Sequence, residues 1–428
     1  MDRTLPPKIR ELRQMEIQPP RRSILPNGVP LNVIDAGDCE VMRIDLLMPG
    51  GRWQQTAPLQ ALFTNRMLRE GTHRYTAARL AEQLDYYGAW LELSAAAEHS
   101  FVTLYTLNKY LPQTLDVLES VIKEPLFPDE RLQVVIDNNV QQFKVNCSKV
   151  DFLAHRRLMQ CLFGRLHPSG RLVEEEDYRR ITAPLLRSFY RSHYHSQGCV
   201  IYLSGRVTDE ACRRVERIFG TEPFGQVGCT EPAATYQPQS DAGKRFFIPR
   251  QGALQSAVRM GSLAPDRHHP DFLKLRVLVT LLGGYFGSRL MSNIREEKGY
   301  TYGIGASLVP YPGHSVLVIN SETANEYVNP LIAEVYRELE RLQNEPVSDA
   351  ELAMVRNYLL GELCRNYESP FSLADAWIFV HTSRFPDTHF ADSLQAIKET
   401  TSDDIRRLAQ LYLCKETLKE VVSGEKMP

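Results

Sequence analysis

Ala95-Ala96-Ala97-Glu98-His99 sets a carboxylate beside an imidazole, the ending of a motif in which a helical Glu acts as base next to metal-ligating His. The run leads into the alternating stretch Phe101 to Thr106, which predicts a strand, and i and i+4 residues of a strand do not pair as they do on a helix. A polar pair at a strand edge is expected. His193 with His195, and His268-His269 ahead of Pro270, lack a carboxylate or third His at ligand spacing and are expected on the surface. Eight cysteines (Cys39, Cys147, Cys161, Cys199, Cys212, Cys229, Cys364 and Cys414) form no Cys-x-x-Cys pair, so reduced thiols are expected rather than a metal knuckle or a disulfide framework. The run Gly283-Gly284-Tyr285-Phe286-Gly287-Ser288 has the glycines of a phosphate cradle. It has no Lys in the P-loop position and follows a helical pattern, which excludes nucleotide binding.

The elements that must position these residues repeat. Shifting the chain by 219 residues lays Thr182 on Thr401, Arg187 on Arg406, Leu203 on Val422, Ser204 on Ser423, Gly205 on Gly424 and Asn138 on Asn357. In both copies a Thr in N-cap position opens an apolar helical pattern, Ile181 to Tyr194 or Thr400 to Leu413, and a short β-rich run then ends in Ser-Gly. A long helical pattern precedes each, Asp129 to Asn146 and Asp349 to Asn366, the second announced by Ser348 and Glu351 at capping-box spacing. Strands are expected at Val41 to Leu47, Phe101 to Thr106, Ser256 to Leu263, Thr301 to Leu308 and Ser315 to Ile319, with helices over one face of each sheet. Gly220 to Lys244 shows neither period and is the expected linker. The fold class is therefore α+β, with domains at 1–219 and 245–428 joined by residues 220–244.

The 428 residues are 43% hydrophobic and 24% charged, which excludes disordered and fibrous classes. A formal charge of -2 implies no field that would gather nucleic acid or an anionic membrane, and Arg156-Arg157 and Arg213-Arg214 are expected on solvated helix faces. No run approaches the length that spans a bilayer. The segment Met1 to Pro20, with Arg3, Lys8, Arg10, Arg13 and two Pro-Pro pairs, has no secretory apolar core, so a cytoplasmic protein is expected.

Gly50-Gly51-Arg52-Trp53, the helical run Ala57 to Glu70 and then Gly71-Thr72-His73-Arg74-Tyr75 make an opening that resembles the insulinase/pitrilysin family of zinc peptidases, in particular its mitochondrial processing peptidase-like branch. Leu162-Phe163-Gly164, His167-Pro168-Ser169-Gly170, Ser204-Gly205 and Gly283 to Leu290 extend the resemblance over nearly the whole chain. It implies two homologous domains, each a mostly antiparallel sheet covered by helices, forming half of a clamshell.

That family holds zinc with an H-x-x-E-H helix, and in family register the three motif positions are Leu62, Asn65 and Arg66. Leu62 has no lone pair, Asn65 cannot take a proton from water, and Arg66 is a permanent cation where a dication would sit. The third ligand, a Glu on the later long helix, falls near Gln141 and Gln142. The resemblance thus implies no metal on this chain, with Glu70, His73 and His99 the residues left that could lie near the altered cavity. The family's second half contributes an Arg and a Tyr that bind substrate carbonyl and oxyanion, and these match Arg295 and Tyr302, with Gly299 as the helix stop between them. Tyr300, two residues from Tyr302, is separated from it only by that spacing. The loop bearing Gly283, Gly284, Gly287 and Ser288 is expected either near substrate or in helix packing.

Two functions follow from the resemblance. One is a non-catalytic subunit that pairs with an intact zinc-bearing family member, encloses unfolded peptide with it and lends Arg295 and Tyr302 to its site. The other is a structural or peptide-binding homologue in which the pair is a relic. The partner would be such a subunit, or a second copy of this chain in a homodimer.

Overall fold

Among the described residues, eleven strands in two sheets account for every stretch expected from alternation. A computed structural model describes residues 17–225 and 236–426. Residues 1–16 of the N-terminal segment, residues 226–235 in the middle of the expected linker (Cys229 among them) and residues 427–428 lie outside the described residues.

The first sheet comprises β1 (Arg21–Ile24), β2 (Pro30–Asp35), β3 (Val41–Met48), β4 (Trp90–Ala95), β5 (Ser100–Leu107) and β6 (Val200–Gly205), in the order β1-β2-β6-β3-β5-β4. The second comprises β7 (Arg245–Pro249), β8 (Gln255–Ala264), β9 (Thr301–Tyr311), β10 (His314–Ala324) and β11 (Lys419–Gly424), in the order β7-β11-β8-β10-β9. One pair in each sheet is parallel, β2 with β6 and β7 with β11; all others are antiparallel. Strands β6 and β11 carry the Ser-Gly ends that the internal shift aligns, and they hold equivalent places. The repeat in sequence is a repeat in topology.

Helix starts follow local chemistry. Thr401 caps Ser402–Tyr412 by accepting from the Asp404 N–H and closes a capping box with the Asp404 carboxylate. Thr182 holds the N-cap of Ala183–His193 without a side-chain bond, and a proline occupies the first turn there. Ser348 caps Asp349–Arg365, but the Glu351 carboxylate turns away to a bidentate pair with Arg289 (2.8 and 3.0 Å). The expected box is therefore half made.

The expectation that helices cover one face of each sheet is too simple. Strands β3 and β6 are buried along nearly their whole length. Met42, Ile44 and Leu46 face the helices of their own half, whereas Leu47, Val200 and Tyr202 face the helix Pro370–Ser383 of the other half, through Ala374, Trp377 and Ile378. The exchange is reciprocal. Helix Val150–Phe163 lies on the second sheet, where Leu158, Leu162 and Phe163 meet Ala257, Val316 and Val421.

An arginine–aspartate tether accompanies each exchanged helix. On β3, Arg43 Nε donates to Asp45 (2.7 Å) and its Nη2 to Asp375 of Pro370–Ser383 (2.5 Å). On β8, Arg259 pairs with Asp151 of Val150–Phe163. Burial lowers the Arg259 pKa, whereas in Arg43 the two carboxylates outweigh burial and raise it. Each half therefore completes its packing only with a helix from the other.

Candidate functional site

Helix Gln60–Met67 carries the three altered motif positions. Gln60 fixes its start, accepting from the Thr56 N–H (2.8 Å) and donating to the Leu185 carbonyl (3.0 Å). The helix is shorter than the run Ala57 to Glu70, because at its C-terminal end the chain turns so that Gly71, at φ +140°, bridges to Thr76.

Asn65 is wholly buried and donates to the Phe101 carbonyl (3.2 Å) and the Tyr194 hydroxyl (3.1 Å). Arg66 reaches across to Asn139 Oδ1, and burial lowers its pKa. Gln141 and Gln142 lie on the exposed face of Asp129–Cys147, so the residue opposite Arg66 is Asn139 instead. Asn139 shares a stripe with Val135 and Phe143 at four-residue spacing, a signal the sequence carried. Leu62 lines a cavity of about 470 Å³ between the halves, bounded by Trp53, Phe143, Phe152, Tyr178, Tyr236 and Tyr311 among others.

A neutral amide, an aliphatic chain and an engaged guanidinium do not fit a zinc ion. Glu70 pairs with Arg131 (2.5 Å), His73 is exposed, and burial lowers the His99 pKa, so these three do not gather into a substitute site. Among the described residues no group of three or more His, Cys, Asp or Glu could hold a metal. Glu98 and His99 sit at a tight turn joining β4 to β5, and Glu98 pairs with Arg384 (3.2 Å). His268 and His269 are exposed as expected, but His195 is fully buried and His193 half-buried. Residues 220–225 fold back against His195, with the Ser196 N–H donating to the Phe224 carbonyl (2.9 Å), while His193 packs on Phe189 beside Pro49.

Arg295 and Tyr302 are brought together elsewhere. Arg295 lies on the wide helical turn Met291–Glu297, Gly299 follows at φ +68°, and Tyr302 begins β9. Both line an open groove of about 530 Å³ with Tyr300, Glu322 and Tyr327. The Arg295 guanidinium rests 4.6 Å from the Phe286 ring centroid and has no carboxylate partner among the described residues. Tyr302 is 92% exposed, whereas Tyr300 stacks on Tyr327 (5.0 Å) and its carbonyl accepts from Thr323 (2.5 Å). Exposure thus adds a second distinction between two tyrosines that in sequence only the family spacing separates. Tyr302 and Tyr311 stand near opposite ends of β9, roughly 30 Å apart at the ordinary strand rise, so the pair does not reach the cavity beside Leu62.

Of the glycine-bearing loop, Gly283 and Ser288 are buried while Gly284 and Gly287 face solvent. A Cβ on Gly283 would lie 2.5 Å from the Ala306 nitrogen of β9, and Phe286 of the same loop supports Arg295. Replacing Gly283 by Val should therefore lower stability by about 1–3 kcal/mol, read as a urea midpoint shift, since the loop must lift off β9.

Two buried histidines give the fold an acid-sensitive limb. His167 stacks on Phe163 (4.5 Å), and burial, with a smaller contribution from His314, pushes its pKa down to about 4. His389 stacks on Phe385 (4.0 Å) and is likewise pushed down to about 4 by burial and then by Arg276. The unfolded imidazoles bind protons below about pH 6.5 while the folded ones do not, so stability should fall as pH drops from there toward 4. Replacing both by Phe should flatten that limb in thermal melts taken across the range.

The fold agrees with comparisons to known proteins. A model described as peptidase M16 inactive domain matches residues 180–359, and one described as insulinase (peptidase family M16) matches residues 60–164. An uncharacterized zinc protease of Bacillus subtilis is 23% identical over 354 residues, covering 82% of this chain and 85% of that protein. One from Mycobacterium bovis is 22% identical over 405 residues, covering 92% and 91%. Among solved structures, a peptidase M16 inactive domain from Pseudomonas fluorescens superposes with a TM-score of 0.85 at 22% identity, covering 95% of this chain and 98% of that one. A protease from Helicobacter pylori gives 0.84 at 15% identity, covering 94% and 99%.

Proposed function

Because the chain belongs to the insulinase family, peptidase M16, we propose that it is a non-catalytic subunit which pairs with a zinc-bearing family member and completes that partner's site with Arg295 and Tyr302. One contrast carries the reading. The motif helix holds no metal-ligating side chain at the three altered positions, with Arg66 bound to Asn139, whereas Arg295 and Tyr302 line an open groove in which Arg295 makes no ion pair among the described residues.

In this reading the partner's zinc does the metal chemistry. This chain's part is to hold a cation and a phenol O–H where negative charge develops on the peptide carbonyl oxygen. An unfolded peptide would add as a strand along the free edge of β9, whose one sheet neighbour is β10. A second copy of this chain could meet the same surface as a homodimer but brings no zinc ligands. The assembly would be cytoplasmic, which the seven described cysteines, all free, support. Among the described residues no helix is long and apolar enough to cross a membrane.

The test is peptide cleavage and zinc content of the purified chain, alone and mixed with an intact family member from the same genome. The expected result is no zinc and no cleavage alone, with cleavage above the partner's own level in the mixture. Inactivity in every mixture would favour the scaffold reading.

A further inference from the structure

Leu62, one of the altered motif positions, opens onto a cavity lined by both halves of the chain. Its volume of about 470 Å³ lies in the range of small-ligand sites. Its walls are aromatic and aliphatic: Trp53, Leu62, Phe143, Phe152, Tyr178 and Tyr236. The charged and titratable groups lining it are Arg52, Arg156, Arg171, His155 and the tyrosines; among the described residues no Asp or Glu lines it.

The arginines are not equivalent. Arg156 was expected on a solvated helix face, yet it lies over the Phe143 and Phe152 rings (5.2 and 5.5 Å), donating to the Val173 carbonyl (2.5 Å) and to Glu174 (2.9 Å). Its charge is largely answered. Arg52 and Arg171 line the same cavity and have no carboxylate partner among the described residues. Burial lowers the His155 pKa, so that ring adds no cation at neutral pH. A cavity lined by unanswered guanidinium charge as well as by aromatic rings complements a molecule that pairs an apolar body with an anionic group.

We propose that this cavity binds a carboxylate carried on an apolar or aromatic group, held by Arg52 and Arg171 with its apolar part against Trp53, Phe143 and Phe152. A peptide's C-terminal residue and a free aromatic acid share that chemistry. The inference rests on the cavity of this chain alone and does not require the catalytic partnership, so the failure of either leaves the other standing.

The test is calorimetric titration of the full chain with a hexapeptide ending in free Phe, its C-terminally amidated form, and 3-phenylpropionate. Amidation should weaken binding about 10-fold to 100-fold, the usual contribution of a charge-assisted hydrogen bond. Arg52→Gln combined with Arg171→Gln, both exposed positions that leave the core untouched, should cost a similar factor while the melting temperature stays unchanged. Binding of the free peptide without the small acid assigns the site to peptide C-termini, and binding of the small acid alone assigns it to metabolite-sized acids; either upholds the proposal. Equal binding of acid and amide, binding indifferent to the double substitution, or no binding to any of the three at millimolar concentration overturns it.

Discussion

In the proposed complex with a zinc-bearing partner, Arg295→Ala should lower the turnover number for peptide cleavage about 100-fold to 1,000-fold, the usual effect of removing one donor to an oxyanion. Tyr302→Phe should cost somewhat less, since the ring remains and one hydroxyl is lost. Both side chains are open to the groove, and Arg295 touches its own chain mainly through the Phe286 ring. The fold and the affinity for the partner should therefore be almost unchanged. That distinguishes a role in the reaction from a role in assembly, because a docking residue would move the partner dissociation constant rather than the turnover of saturated complex. Tyr300→Phe serves as the control, since that ring is already stacked on Tyr327. Wild-type turnover in R295A would mean that the pair is a relic.

The largest loss of stability should come from Arg43→Met. Arg43 and Asp45 are each about 95% buried or more, and among the described residues Asp45 has only Arg43 and the Thr103 hydroxyl (2.7 Å) to answer its charge. Removing the cation leaves a buried carboxylate, and breaking such a pair costs about 3–5 kcal/mol. Burial already holds the Asp45 pKa above its ordinary value, against the pull of Arg43. Without that pull the folded state binds its proton more tightly than the unfolded chain does, so the deficit of R43M should shrink as pH falls. Adding Asp45→Asn should recover much of the loss, as seen in urea midpoints. Asp375→Ala should cost only about 0–1 kcal/mol, because that carboxylate is largely exposed.

Much of this molecule was legible in its residues. Alternation located β3, β5, β8, β9 and β10 to within a few residues, because strands buried along a face must repeat with period two. The Thr-helix-strand-Ser-Gly unit and its shifted copy announced two like sheets, and the family resemblance pointed to Leu62, Asn65 and Arg66 as altered motif positions whose side chains suit zinc poorly. Other features had no local signal. The exchanged helices Val150–Phe163 and Pro370–Ser383 look like ordinary helices in sequence, since an apolar stripe records that a face is covered and not which half covers it. Arg156 reads as a surface charge until tertiary packing sets it over two rings, and Asn139 displaced Gln141 and Gln142 because helix rotation decides which side chain meets Arg66. The sequence by itself determined the kinds of element, their repetition and, through its resemblance to a family, which motif residues are replaced, because these depend on residue types and short spacings. Only the tertiary structure decided which half covers which sheet, that Arg295 and Tyr302 share a groove far from the altered helix, and that an unfilled cationic cavity lies beside that helix, because each depends on residues distant in the chain meeting in space.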